Sequence, residues 1–373
     1  MHSDARNFAG TAVSLFLCLS LMLAAFSARA EESRPEKPKK TYANPVTTTD
    51  GEPVRLADPF VYRHEGVYYM TGTTGAAEAE GFDYYTSDDL VEWTYRGPLF
   101  RKSPEHFGAG AFWAPEVKFY DGKFYLTYSC LDARRGLLLS CLAVSETPGG
   151  PFRELYTPWF DRGHSAIDCH IFIDDDERRT PYLYFSKNGH EAGCSYGENY
   201  VVKLREDLSV PDDEPLLVSR ASQPWEKVRW EVNRCNEGAF VFKRKGTYYM
   251  TYSANDTGYS HYGIGVATAS HPLGPWTKYE DNPLMTTDLS NGVSSPGHNS
   301  IVASPDGKEL FVVYHRHADP QGERPSFDRV VCIDRLYFDR DGRLRTHGPT
   351  SEPQKAPGRS RTAKTAGSRP SAR

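Results

Sequence analysis

One stretch recurs five times along the chain, and its spacing limits what the chain can fold into. Its fullest form is residues 233–253, Asn-Arg-Cys-Asn-Glu-Gly-Ala-Phe-Val-Phe-Lys-Arg-Lys-Gly-Thr-Tyr-Tyr-Met-Thr-Tyr-Ser. An acid, Glu237, opens a short apolar run (Ala239–Phe242). A glycine-bearing turn and an aromatic run (Thr247–Ser253) follow. Two β-rich runs joined by such a turn predict a hairpin. The other copies begin at Asp58, Glu116, Asp168 and His298, and their second runs end at Thr73, Ser129, Ser186 and His315. Copies start roughly 50 to 70 residues apart, the spacing of repeats that each contribute one blade. The expected fold is all-β: a five-bladed β-propeller, one domain over residues 41–350.

The register of the copies predicts a site. If the first strand of every blade lines a central channel, Asp58, Glu116, Asp168, Glu237 and His298 meet around one axis. Carboxylates held that close raise one another's pKa and are costly to keep unless they are used. A single acid at a strand start is commonly a turn cap. Five in register point to a site instead.

The ends of the chain read differently. Residues 1–30 have the form of a cleaved signal peptide: Arg6, a short apolar run (Val13–Phe26) and Ala28-Arg29-Ala30. The run is short for a membrane span, and none is expected elsewhere. Residues 31–40 read as a charged linker and residues 351–373 as a basic disordered tail. The protein is therefore expected to be secreted or periplasmic, and a monomer. The whole chain carries a net charge of −5 although its leader and tail are both positive, so the body is acidic. An acidic body argues against a nucleic-acid partner. Beyond Cys18 lie Cys130, Cys141, Cys169, Cys194, Cys235 and Cys332, an even number that permits disulfides after export. Cys130 and Cys141 flank a predicted hairpin and could face each other; the connectivity stays open. No C-x-x-C pair is present, so no zinc site is expected.

Separated carboxylates in an open funnel suit glycoside hydrolysis. One acid protonates the leaving oxygen, and a second carboxylate activates water or attacks carbon. A third can hold the donor's pKa high. With 23 Tyr, 19 Phe and 6 Trp, aromatics are abundant enough to line a sugar site. Trp113, just ahead of Glu116, is a candidate for stacking on a sugar ring, with core packing as the alternative.

Several motifs lie in order on this repeat: Asn44-Pro-Val, Ala57-Asp-Pro-Phe-Val, Trp113-Ala-Pro-Glu-Val, Ile167-Asp-Cys-His-Ile-Phe-Ile, Asn236-Glu-Gly-Ala-Phe and Gly297-His-Asn-Ser-Ile-Val. With them the chain resembles glycoside hydrolase family 43, the five-bladed propeller group that includes arabinofuranosidases, arabinanases and β-xylosidases. The resemblance implies Asp58 as general base, Asp168 as the acid that tunes the donor, Glu237 as general acid, and single displacement with inversion. It implies that His298 faces a metal ion, in many members one calcium ion, through water. It matches Arg329 to an arginine that contacts the sugar, with a surface ion pair as the alternative. Glu116 stands where many members have Asp, Ala239 where Pro is common, and Cys169 where a smaller residue or Pro is usual. The function implied is release of α-L-arabinofuranosyl or β-D-xylosyl residues from a carbohydrate substrate. Endo-arabinanase, a galactan-active member and a non-catalytic carbohydrate-binding propeller are the alternatives.

Overall fold

The computed structural model describes residues 41–74, 80–321 and 327–359; the expected signal peptide and linker lie outside them. The described chain is all-β, with two single-turn 3-10 segments (Pro224–Glu226 and Leu289–Asn291) as its helical elements. The strands form five consecutive antiparallel modules. Their first strands are Ala57–His64, Trp113–Tyr120, Ser165–Ile173, Asn233–Arg244 and Gly297–Ala303. Each pairs with the strand that follows it, as the five hairpins predict. In three hairpins the turn is two residues with positive φ at both: Glu65-Gly66, Asp121-Gly122 and Lys245-Gly246. Two-residue hairpin loops favour that type I′ backbone because it matches the strand twist.

The modules pack face to face. Five separate apolar cores join the first module to the second, the second to the third, and so on, and the fifth to the first. The five first strands likewise touch in a closed cycle. Trp93, in the strand Glu92–Arg101, and Phe152, just ahead of Arg153–Tyr156, are buried between modules, and Trp276, just ahead of Thr277–Lys278, is partly buried there. Trp93→Ala would cost about 3–5 kcal/mol. Modules three and four are also joined by hydrogen bonds, because Ser195–Gly197 runs parallel to Asn233–Cys235.

The chain ends close the cycle. Thr47–Thr48 adds to the outer edge of the first module beside Glu92–Trp93. Asn44, just before it, holds the fifth: its amide donates to the Ile333 and Thr350 carbonyls (2.9 and 3.0 Å) and accepts from the Ile333 N–H at 2.9 Å. Thr41–Tyr42 pairs with Gln354–Lys355. This corrects the expected tail boundary. Residues 351–359 are docked, with Arg359 paired to Asp89 at 2.8 Å; residues 360–373 lie outside the described chain.

The six described cysteines are free thiols. Cys130 and Cys141 do not sit opposite each other: Cys130 faces Leu139, and Cys141 faces Tyr128. That diagonal placement leaves the sulfurs 3.9 Å apart.

Candidate active site

Every first strand carries a bulge near its start, and every bulge has one residue at positive φ: Asp58 (49°), Ala114 (45°), Asp168 (56°), Gly238 (59°) and His298 (45°). Such a backbone costs about 1–3 kcal/mol for most non-glycine residues and is concentrated at functional sites. The bulges correct the register expected from sequence. Asp58, Asp168 and His298 are equivalent, but Glu237 sits one residue ahead of its bulge position and Glu116 two residues behind. Glu116 consequently faces His170, 2.7 Å from its Nδ1.

The second strands support the bulges. The residues opposite are Thr73, Ser129, Ser186, Ser253 and His315. Four of these accept the bulge N–H of the next module: Thr73 from Ala114 (2.8 Å), Ser186 from Gly238 (3.2 Å), Ser253 from His298 (2.8 Å) and His315 Nδ1 from Asp58 (3.0 Å). The Ser129 hydroxyl has no partner among the described residues.

A cavity of about 190 Å³ opens over these bulges, lined by Asp58, Asp168, Glu237, His298, Trp113 and Arg329 among others. It thus gathers six of the seven residues expected at the site. Glu116 is outside its lining. Trp113, 40% exposed, also lines a second cavity of about 380 Å³ that shares Thr73, Phe327 and Arg329 with the first. The Arg329 guanidinium lies 4.2 Å from the Phe327 ring centroid, and both residues line the two cavities.

The carboxylates sit in different electrostatic surroundings. Asp58 accepts from the Thr73 hydroxyl at 2.6 Å and lies 3.3 Å from His298 Nδ1. Burial works to raise its pKa, but the charges of His298 and Arg329 outweigh burial and hold it far below the usual carboxylate range. Burial, with Glu237 and Asp58 nearby, raises Asp168 to about 7 against the pull of His298. Burial also raises Glu237, against His298 and the donors Tyr262 and Cys235. Tyr262 donates to Glu237 Oε1 at 2.7 Å and Cys235 to Oε2 at 3.2 Å. Burial disfavours a charged His298, yet four surrounding carboxylates raise its pKa. His315 is the opposite case: burial lowers it to about 4, so it is neutral and free to accept the Asp58 N–H.

Residues 42–344 match the family model described as glycosyl hydrolases family 43. The chain belongs to that family. It is a glycoside hydrolase, and a carbohydrate is its substrate. A solved thermostable family-43 glycoside hydrolase is 45% identical and superposes with a TM-score of 0.79, covering 86% of this chain and 100% of that one. A beta-D-galactofuranosidase of Aspergillus niger is 29% identical over 80% of this chain and 84% of its own length. An extracellular exo-alpha-(1->5)-L-arabinofuranosidase of Streptomyces avermitilis is 25% identical over 87% of this chain and 66% of its own length.

Sequence reasoning missed Thr73, Asn188, Thr257, Tyr262, His315 and Phe327 in this family-43 site. Thr73 and His315 carried a signal, since each closes a copy of the repeat. Tyr262 and Thr257 did not, because they lie in the loop before Gly263–Ala269, outside the repeated stretch.

The donors present bear on metal binding. Calcium takes six to eight oxygen ligands. His298 Nδ1 faces Asp58, and a Glu116 oxygen is taken by His170, so calcium would have to be held there through water. Among the described residues one group of three buried donors lies close together, His106, Cys130 and Cys141. It is already satisfied as a neutral network. His106 Nδ1 accepts from the Gly108 N–H at 2.8 Å, leaving Nε2 to donate to the Tyr128 hydroxyl at 3.0 Å. No helix among the described residues is long and apolar enough to cross a membrane.

Proposed function

We propose that the five modules are the blades of a five-bladed propeller, one domain over residues 41–350, and that the enzyme hydrolyses glycosides with inversion. Asp58 acts as general base, Glu237 as general acid and Asp168 as the carboxyl that tunes it. The observation that carries this reading is the divergence of the carboxylates in one cavity. Asp58 stays ionised into strong acid, while Asp168 and Glu237 are pushed toward the protonated form. Environments that drive neighbouring acids apart mark the base and the acid.

The reaction follows from those states. Glu237 gives its proton to the glycosidic oxygen as that oxygen takes the electrons of the breaking C–O bond. Asp58 accepts a proton from a water on the opposite face of the sugar, and that water bonds to the anomeric carbon. Asp168 accepts the Gly238 N–H at 3.2 Å and so fixes the backbone next to the donor; the two buried acids oppose each other's ionisation, so Asp168 and Glu237 do not both give up their protons easily. Two cavities that share Thr73, Trp113, Phe327 and Arg329 suit exo action: the one that holds the carboxylates takes the sugar released, and its neighbour takes the next unit. The sugar is a pentose, an α-L-arabinofuranosyl group first and a β-D-xylosyl group second. The name of the Streptomyces relative favours that order. The protein works outside the cytoplasm. Calcium near His298, held through water, would add to the local positive charge; no step needs it.

The test is hydrolysis of p-nitrophenyl α-L-arabinofuranoside and β-D-xyloside, followed by proton NMR of the fresh product. Release of sugar with inverted anomeric configuration is expected. Retained configuration would overturn the roles given to Asp58 and Glu237. Equal activity after chelation is expected; loss of activity restored by calcium would show that the ion is required.

A further inference from the structure

Glu237 is gripped at both oxygens by unequal donors. Tyr262 donates to Oε1 at 2.7 Å, and the Cys235 thiol donates to Oε2 at 3.2 Å. We propose that Tyr262 and Cys235 form an asymmetric clamp that sets which oxygen of Glu237 carries the catalytic proton: Tyr262 holds Oε1 as an acceptor, and Cys235 leaves Oε2 free to be protonated and to donate. This rests on Glu237 being the general acid.

The two partners differ in what protonation costs. Both groups can donate and accept, but a phenol is the much stronger donor and a thiol a weak one, so the oxygen that keeps the Tyr262 bond is the one favoured to stay unprotonated. A proton on Oε1 would force the strong Tyr262 bond to reverse, with the phenol oxygen accepting, and Tyr262 has little room to move off instead. It is fully buried, and its ring stacks on His315 at 5.9 Å with an interplanar angle of 3°. A Cβ on Gly297 would fall 2.2 Å from that ring, so the glycine is what makes space for it. A proton on Oε2 meets only the thiol, which can rotate and offer its lone pair. Cys235 is equally well placed. It lies on the parallel pairing with Gly197, where a Cβ would come within 2.6 Å of its sulfur. Burial, reinforced by Glu237, raises the pKa of both groups, so each meets Glu237 as a neutral donor. Tyr262 and Cys235 are positioning residues here, since neither need touch the substrate.

The clamp is tested with Cys235→Ser, Cys235→Ala and Tyr262→Phe in the full chain. Two aryl glycosides of the hydrolysed sugar are used, one with a poor phenol leaving group and one with 2,4-dinitrophenol. A serine hydroxyl donates more strongly than a thiol and favours the carboxylate. Cys235→Ser should therefore move the alkaline limb of kcat/KM down by about one pH unit and slow the poor substrate roughly tenfold near neutrality, sparing the activated one. Cys235→Ala and Tyr262→Phe each remove a donor and should move that limb upward. If Cys235→Ser and Cys235→Ala shift the limb in the same direction, or slow both substrates alike, the clamp is wrong. If Cys235→Ser fails to fold, the shift in Cys235→Ala decides. Glu237→Gln is the control. A loss confined to the poor leaving group supports the acid assignment, whereas equal loss on both substrates sinks that assignment separately from the clamp.

Discussion

Asp58 and Glu237 are carboxylates on one cavity, and their surroundings are opposite. The Asp58 side, built from modules one and five, is rich in positive charge and imidazole: His298 at 3.3 Å, His315 against its backbone and Arg329 nearby. The Glu237 side, built from modules three and four, offers neutral donors and a second acid, Asp168, with which it shares negative charge. Both groups are desolvated, so burial alone does not distinguish them. The neighbours do. A desolvated carboxylate beside a cation stays ionised, and one beside another carboxylate tends to keep its proton.

The largest way to break this contrast is to remove its poles. Glu237→Gln should lower kcat by about 10² to 10⁴-fold on a natural substrate, the usual worth of general acid catalysis. Asp58→Asn should be at least as damaging and should show no relief with a good leaving group, since it removes water activation rather than protonation. Steady-state kinetics on natural and activated glycosides separate the two. Similar responses from both variants would mean that the cavity does not divide acid from base.

His298 is the next lever, because it acts on both sides at once. It lowers the pKa of Asp58, Asp168 and Glu237 alike. In His298→Gln all three should therefore hold protons to higher pH. Asp58 is needed ionised, so the acid limb of kcat/KM should rise. Glu237 is needed protonated, so the alkaline limb should rise as well. The pH profile should move upward as a whole, by about one unit or more. A profile that narrows from one side only would show that His298 serves one carboxylate and not the other.

The same contrast separates what the sequence made legible from what it did not. The hairpins were legible because alternation and glycine turns are local, and the family motifs followed the repeat. The exact meeting of the acids was not. The bulge, not the acid, is the equivalent point of each module, and the acids stand at three different offsets from it; Glu116, two residues beyond its bulge, meets His170 instead of the cluster. Polar composition read residues 351–359 as free, but their backbone pairs with Thr41–Tyr42, a partner some 300 residues away that composition does not register. Tyr262 was invisible for a related reason: it reaches Glu237 from a loop that no repeat marks.

His315 gives the finest test, because the repeat itself supplies the control. At the end of the second strand four modules carry a hydroxyl residue, Thr73, Ser129, Ser186 or Ser253, and only the module next to Asp58 carries an imidazole. His315→Ser therefore installs what the other modules use, and a serine at this position can still accept the bulge N–H. The fold should hold, with a change in melting temperature of only a few degrees, the size that about 1 kcal/mol produces in a chain this long. What is lost is the flat surface against Tyr262 and the contact of His315 Nε2 with the Thr257 hydroxyl at 3.3 Å. Asp58 keeps its main counter-charge in His298, so its ionisation should change little and the acid limb should stay in place. Tyr262 loses its backing, so the expected change is a modest fall in kcat, several-fold at most, on substrates that need the acid. A large shift of the acid limb would show instead that His315, and not His298, governs the charge of Asp58.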